Sequence, residues 1–305
     1  MKQLTLILAF LMTLYAPAAA QDYDKGLAAA QAGDFAEAVL EWLPLADQGH
    51  TLAQYNMANM YRWGYGVTQD YDEAIKWFRL AAEQGKAEAQ HELGIMYYIG
   101  DGVSQNYTEA VKWFRLAAEQ GNAEAQVNLG KVYKYAYGVT QDYDAAVKWF
   151  HLAAEQGNAE AQVNLGVFYY GGQGVAQNYV EALKWFQLSA EQGENVAQRN
   201  LGLMYYSGQG ISQNYRISKT WLQRSAQQGD GIAQARLGVM YANGQGVSKN
   251  KVTSLMWYRV AKVNGDDTLD KFLIKRLYTM SSEDIQMSKD MAAECMSSGY
   301  TKCGY

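Results

Sequence analysis

The chain has 305 residues, 49% of them hydrophobic, with 29 Gly and 2 Pro. That leaves ample apolar surface for a core, and so little proline suits helices. A formal charge of −5 and a pI near 5.3 argue against a nucleic-acid partner, which favours a basic stripe.

The first predicted element is not part of the fold. Lys2 opens the chain, an apolar run follows from Leu4 to Tyr15, and Ala18-Ala19-Ala20 precedes Gln21. These are the three parts of a secretory signal peptide, and the run is too short to span a bilayer comfortably. The expectation is a signal over 1–20 and a mature protein, periplasmic or secreted, that starts at Gln21. No Cys follows the cleavage site, so a lipid anchor is not indicated, and no integral membrane segment is expected after cleavage.

From residue 50 the chain repeats itself. Gln recurs at 54, 90, 126, 162, 198 and 234, and Trp at 77, 113, 149, 185, 221 and 257, each at a spacing of 36. A fixed period of this size marks a stacked array in which each unit buries its neighbour, so the length does not count domains. Such an array presents a surface for binding rather than a pocket for chemistry. In the copy at 87–122, Ala89, Leu93, Met96 and Tyr97 form one helical stripe, and Ala110, Val111, Phe114, Ala117 and Ala118 form a second. Gly100-Asp101-Gly102 breaks the chain between them. Asn106 and Glu109 read as an N-cap and capping box, and Gln120-Gly121 as a glycine stop. Each repeat is therefore a helix hairpin. Asp70/Glu73 and Asn178/Glu181 repeat the capping signal, whereas the third, fifth and sixth copies lack the Glu. Glycine recurs in mid-helix at 94, 130, 166, 202 and 238, a costly choice that implies close approach of the paired helix. The Trp row and the Tyr row (Tyr61, Tyr97, Tyr133, Tyr169, Tyr205, Tyr241) are assigned to the scaffold rather than to a ligand track.

Residues 21–49 read as a divergent terminal unit, with Trp42 one place off register and Pro44 interrupting the stripe. Residues 266–305 form a C-terminal helical cap: one helix over 266–278 and another opening at Ser281-Ser282-Glu283-Asp284. Cys295 and Cys303, the two cysteines of the chain, read as a disulfide in an exported protein. The short loop it closes corresponds to about 2.5–3 kcal/mol in the chain-entropy model. A redox or metal pair is the alternative, without C-x-x-C spacing or further ligands to support it.

The pattern A-E-A-Q-x-N-L-G-x-M-Y-Y-x-G-x-G-V-x-Q-N/D-Y-x-E-A-x-K-W-F-x-x-A-A-E-Q-G resembles the Sel1-like repeat, a relative of the tetratricopeptide repeats. Residues 88–121 and 160–193 match it nearly throughout, and the resemblance covers about 50–265. It implies an all-α, right-handed α-solenoid of antiparallel helix hairpins, with first helices lining a concave face. It also implies an adaptor role.

Candidate binding residues are those that vary at a repeat position while pointing out of the core. They include Tyr55, Val127, Arg199, Asn56, Asn128, Asn164, Asn200, Arg236, Lys131, Leu203, Arg62 and Lys134. The Asn row aligns with the tetratricopeptide position whose Asn holds a peptide backbone. The same Asn could instead be solvated or pair with the neighbouring repeat. Trp63 stands outside the Trp ladder, with Tyr135 as a register mate. Trp63 with Arg62 and Tyr55, and Lys131 with Lys134 and Tyr135, are the candidate hot spots. The lysines would favour an acidic or carboxylate ligand, or belong to a solvated face.

Catalytic constellations are sparse. His50, His91 and His151 do not sit at metal spacing, and no cofactor is indicated. Ser248-Lys249-Asn250-Lys251 fits S-x-x-K but lacks the S-D-N and K-T-G partners of a β-lactamase. Asn106-Tyr107-Thr108 is a glycosylation sequon that only a eukaryotic exporting cell would use. The leading expectation is a non-enzymatic exported scaffold for a protein or peptide on the concave face. A β-lactamase-like or cell-wall amide hydrolase, and a glycan-binding envelope protein, are the alternatives.

Overall fold

A computed structural model describes residues 22–266 and 280–303. The expected signal segment, and the helix expected over 266–278 from residue 267 on, lie outside the described residues. Among the described residues the fold is all-α, with fifteen helices: α1 (Tyr23–Gln31), α2 (Phe35–Asp47), α3 (Thr51–Trp63), α4 (Tyr71–Glu83), α5 (Ala87–Ile99), α6 (Tyr107–Glu119), α7 (Ala123–Tyr135), α8 (Tyr143–Glu155), α9 (Ala159–Gly171), α10 (Tyr179–Glu191), α11 (Asn195–Ser207), α12 (Tyr215–Gln227), α13 (Gly231–Asn243), α14 (Lys251–Val263) and α15 (Ser282–Ser297). Packing divides the chain into two units, 1–113 and 114–305.

Within each unit the arrangement is a helix-hairpin solenoid. In the first, α1 pairs with α2 and α3 with α4, while α3 also packs on α2 and α5 on α4. The second repeats the scheme through α7–α8, α9–α10, α11–α12 and α13–α14, and α15 then packs on α14. α3, α9, α11 and α13 are thus each sandwiched between two second helices, which is why their apolar stripes are broad.

The recurring residues have separate tasks. Each row Gln is buried and works as a clamp. Its Nε2 donates to the carbonyl eight residues earlier, at the end of the preceding second helix: Gln54 to Ala46 at 3.1 Å, Gln162 to Ala154 at 3.2 Å, Gln234 to Ala226 at 2.9 Å. Its Oε1 accepts from an amide in the turn that ends its own repeat, Gln84 for Gln54 at 2.7 Å and Gln192 for Gln162 at 2.8 Å. Helix ends leave carbonyls unpaired, and this side chain satisfies one in each stack. In the loops, Gln69, Gln105, Gln141, Gln177 and Gln213 close on the carbonyl seven residues back, at 2.8–2.9 Å. The next residue caps the second helix, as Asp70 does with the N–H groups of Asp72 and Glu73. Asp142, Asn214 and Asn250 cap without a following Glu, because the side-chain oxygen alone meets the orphan N–H groups.

The mid-helix glycines sit where expected. A Cβ on Gly130 would lie 2.9 Å from the Phe150 ring, and one on Gly166 would lie 2.5 Å from that of Phe186. The side chain filling each hairpin centre is therefore the residue beside the ladder Trp: Phe78, Phe114, Phe150 and Phe186, all 1% exposed or less, then Leu222 and Tyr258 in the last two repeats. The Trp row packs one step further out. Trp77, Trp185 and Trp257 are buried, whereas Trp113, Trp149 and Trp221 are half-buried. The Tyr row is mostly half-buried.

First helices end on a left-handed residue. It is glycine at 64, 100, 172, 208 and 244, but alanine at 136, where φ is 63°. A β-carbon is disfavoured there. Ala136→Gly should raise stability by about 1 kcal/mol, read as a higher midpoint in urea; an unchanged or lower midpoint would show that the cap is unstrained.

The N-terminal hairpin is tied by Trp42, which is 2% exposed. Its Nε1 donates to the Tyr23 carbonyl at 3.1 Å, and Gly26 leaves room for the indole, since a Cβ there would lie 2.5 Å from it. Pro44 lies inside α2. At the other end Cys295 and Cys303 are paired, their Cα atoms 4.5 Å apart and both side chains buried.

Candidate partner-binding face

The first helices carry their polar positions between apolar ones, and the structure shows how few of those side chains are free. In the first unit Arg62 does not point out of the core, contrary to expectation. It is 5% exposed. Its Nη1 donates to Glu92 at 2.6 Å and its Nε to Asp101 at 3.2 Å. The next repeat supplies both carboxylates, one from α5 and one from the loop after it. Burial pushes the Glu92 carboxyl up, but His91 and Arg62 more than offset this and hold it below the usual carboxylate range. Val127 likewise is buried, 1% exposed. Variation at a repeat position does not by itself place a side chain outward, because the adjacent repeat covers part of each first helix.

Other candidates form cross-repeat ties. Asn56 donates to the Tyr23 hydroxyl at 3.1 Å, and Tyr55 packs edge-on to Phe78 with Lys86 5.7 Å above its ring. Burial raises the Tyr55 phenol pKa. In the second unit Lys131 pairs with Glu160 at 2.6 Å, Lys134 donates to Asn164 at 2.9 Å, and Arg199 pairs with Asp230 at 2.8 Å. Asn164 also donates to the Glu160 carbonyl at 2.9 Å. Arg236 lies with its Cζ 4.7 Å from the Tyr206 ring centroid. Asn128 and Asn200 are half-buried. Arg62, Lys131, Lys134 and Arg199 reach partners about one repeat further along, and Asn56 and Arg236 reach partners about one repeat back.

Two side chains stand apart. Trp63 ends α3 and is 54% exposed; Tyr135 ends α7 and is 53% exposed. Each carries a cation from the preceding residue, Arg62 Cζ at 4.9 Å and Lys134 Nζ at 5.1 Å from the ring centroid. The buried ion pairs of Arg62 hold one cation in place and the bond to Asn164 holds the other. Each ring is thus braced by a cation, with Tyr137 also 5.8 Å from the Tyr135 ring, and keeps about half of its surface for an apolar or aromatic group of a partner.

The remaining chemistry is thin. Ser248 and Lys251 are exposed, Ser248 in the loop before α14 and Lys251 at its start. Among the described residues no group of three His, Cys, Asp or Glu side chains could hold a metal, and no helix is long and apolar enough to cross a membrane.

One signal in the sequence escapes a whole-chain count. Residues 231–265 contain Arg236, Lys249, Lys251, Arg259 and Lys262 and no carboxylate, whereas 22–49 contain Asp22, Asp24, Asp34, Glu37, Glu41 and Asp47 against Lys25 alone. Counting charge repeat by repeat would have found it.

The Sel1 repeat model matches six consecutive segments, 51–86, 87–122, 123–158, 159–194, 195–230 and 231–265. Among solved structures, the chain is similar to a protective antigen of uropathogenic Escherichia coli displaying an SLR fold, at 37% identity and a TM-score of 0.80 over 92% of this chain. It spans 60% of that protein's length. It is also similar to a Sel1 repeat protein from Oxalobacter formigenes, at 32% identity and a TM-score of 0.68, covering 79% of this chain and 99% of that one. Comparison with curated proteins gave no match.

Proposed function

The chain belongs to the Sel1 repeat family, and from that premise we propose that it is an exported, non-enzymatic adaptor that binds a protein or peptide on its first-helix face. The observation that carries this reading occurs once in each unit, at Trp63 in the first and at Tyr135 in the second. They occupy one repeat position, each is about half exposed, and each is backed by a fixed cation. Large aromatics held rigid lose little entropy on binding and dominate interface energies. The surrounding Asn, Lys and Arg side chains serve as the frame that holds them. Proteins of this family are commonly interaction scaffolds, which supports the same reading. Export rests on the segment over 1–20. It would place the Cys295–Cys303 pair in an oxidising compartment, where it persists as a disulfide.

Affinity capture from periplasmic extract should recover a specific partner with the wild-type chain. Trp63→Ala/Tyr135→Ala should reduce that recovery roughly tenfold or more. Equal recovery by both would remove the aromatic pair from the binding face. The non-enzymatic part has its own check: a chromogenic β-lactam offered to the purified chain should turn over no faster than the blank, and turnover lost in Ser248→Ala would overturn it.

A further inference from the structure

A second surface lies at the C-terminal end, between α14 and α15. It is a groove of about 480 Å³ whose floor includes Val263, Ala293 and Met296 and whose rim carries Arg259, Lys262 and Lys289. Val263, the last residue of α14, is 67% exposed. Arg259 and Lys262 belong to the repeat that has five basic residues and no carboxylate. Lys289 comes from α15, whose own carboxylates Glu283, Asp284, Asp290 and Glu294 are not among the groove-lining residues. Arg259 makes one polar contact, from Nε to the Ser288 hydroxyl at 3.3 Å. No carboxylate among the described residues lies within ion-pair distance of the three cations. The first-helix cations behave differently: Arg62, Lys131 and Arg199 are each spent on an internal partner.

We infer that this groove docks an acidic peptide segment, with a hydrophobic side chain seated on Val263 and Met296 and carboxylates meeting Arg259, Lys262 and Lys289. Charge complementarity selects the sign of the ligand. The apolar lining selects a peptide over a polyphosphate backbone, which asks for a row of cations and gains nothing from covering the exposed Val263 and half-buried Met296. The cations are on flexible stems at the rim, so they steer encounter and set salt dependence, while the floor supplies most of the contact. This surface is independent of Trp63 and Tyr135 and stands whether or not the first-helix face binds.

The test is fluorescence anisotropy of the full chain with a labelled Glu/Leu peptide that carries Leu at helical spacing. Saturable binding is expected, weakened several-fold by raising the salt and roughly tenfold by Lys262→Glu/Lys289→Glu. Val263→Asp should weaken it comparably, whereas Lys184→Glu on α10 should leave it unchanged. Circular dichroism would establish that each variant is folded. The proposal is overturned by an absence of saturable binding, by equal binding of a Gln/Leu peptide, or by a charge-reversed variant that binds like wild type. Capture of phosphatidylglycerol vesicles through the same lysines, with the peptide ignored, would also overturn it by reassigning the groove to a membrane surface.

Discussion

Gly166→Val is expected to lower stability by about 3 kcal/mol, at the upper end of what overpacking costs. Glycine in mid-helix is about 1 kcal/mol worse than alanine in propensity, so a substitution at an open site would stabilise. Here the first added carbon would lie 2.5 Å from Cε1 and 2.6 Å from Cδ1 of Phe186. The ring cannot step aside, because Phe186 is 1% exposed and packed in one cluster with Ala182, Ala190, Ala197, Leu201 and Met204. Relief requires α9 and α10 to part. Valine adds two further carbons beyond that first one, with little rotamer freedom in a helix. The series is graded by geometry: at Gly238 the added carbon would meet the Tyr258 ring at 3.2 Å, and Gly238→Ala should cost less than Gly166→Ala. Urea melts followed by circular dichroism provide the measurement, with limited proteolysis to localise the loss, since arrays of this kind need not unfold in one step. A Gly166→Val midpoint equal to wild type would refute close packing as the reason for the glycine row.

Arg62→Ala should cost about 2–3 kcal/mol. Removing one partner of a buried ion pair strands the other charges, and here two carboxylates lose their cation together. The figure is set below the usual range for fully buried pairs because the Glu92 and Asp101 side chains keep 27% and 21% of their exposure. The same contact gives a pH signature. Glu92 titrates below its ordinary value of 4.5 in the folded chain. A depressed carboxylate contributes stability that is present above the unfolded value and lost as pH falls through the folded one. The gap between wild type and Arg62→Ala should therefore be full near neutrality and narrow as pH falls below 4.5, with His91 retaining its share of the Glu92 shift in the variant. A constant gap across that window would mean that Arg62 acts through packing of its stem rather than through Glu92. Loss of partner capture without loss of stability would return Arg62 to the binding face.

The sequence by itself determined the hairpin and its period, because every feature that specifies them is local. Apolar residues at helical spacing, Asp or Asn at the start of the second helix and glycine at its end lie within one turn of the groups they act on. The glycine row also pointed to close helix approach, although not to Phe186 and its register mates as the side chains that approach. Tertiary structure decided which polar side chains are available. Arg62, Lys131, Lys134 and Arg199 read as outward-facing candidates, yet their partners Glu92, Glu160, Asn164 and Asp230 lie 29 to 31 residues away. No window along the chain brings those groups together; stacking one repeat on the next does. The physical reason is reach: a long charged side chain on a first helix spans the distance to the adjacent repeat, and an ion pair shielded there is better satisfied than a lone charge between helices. Trp63 and Tyr135 are legible as candidates because they break the repeat pattern. That they stay exposed after those ties are made, and that Val263 does so beside Arg259, Lys262 and Lys289, was decided by the folded chain.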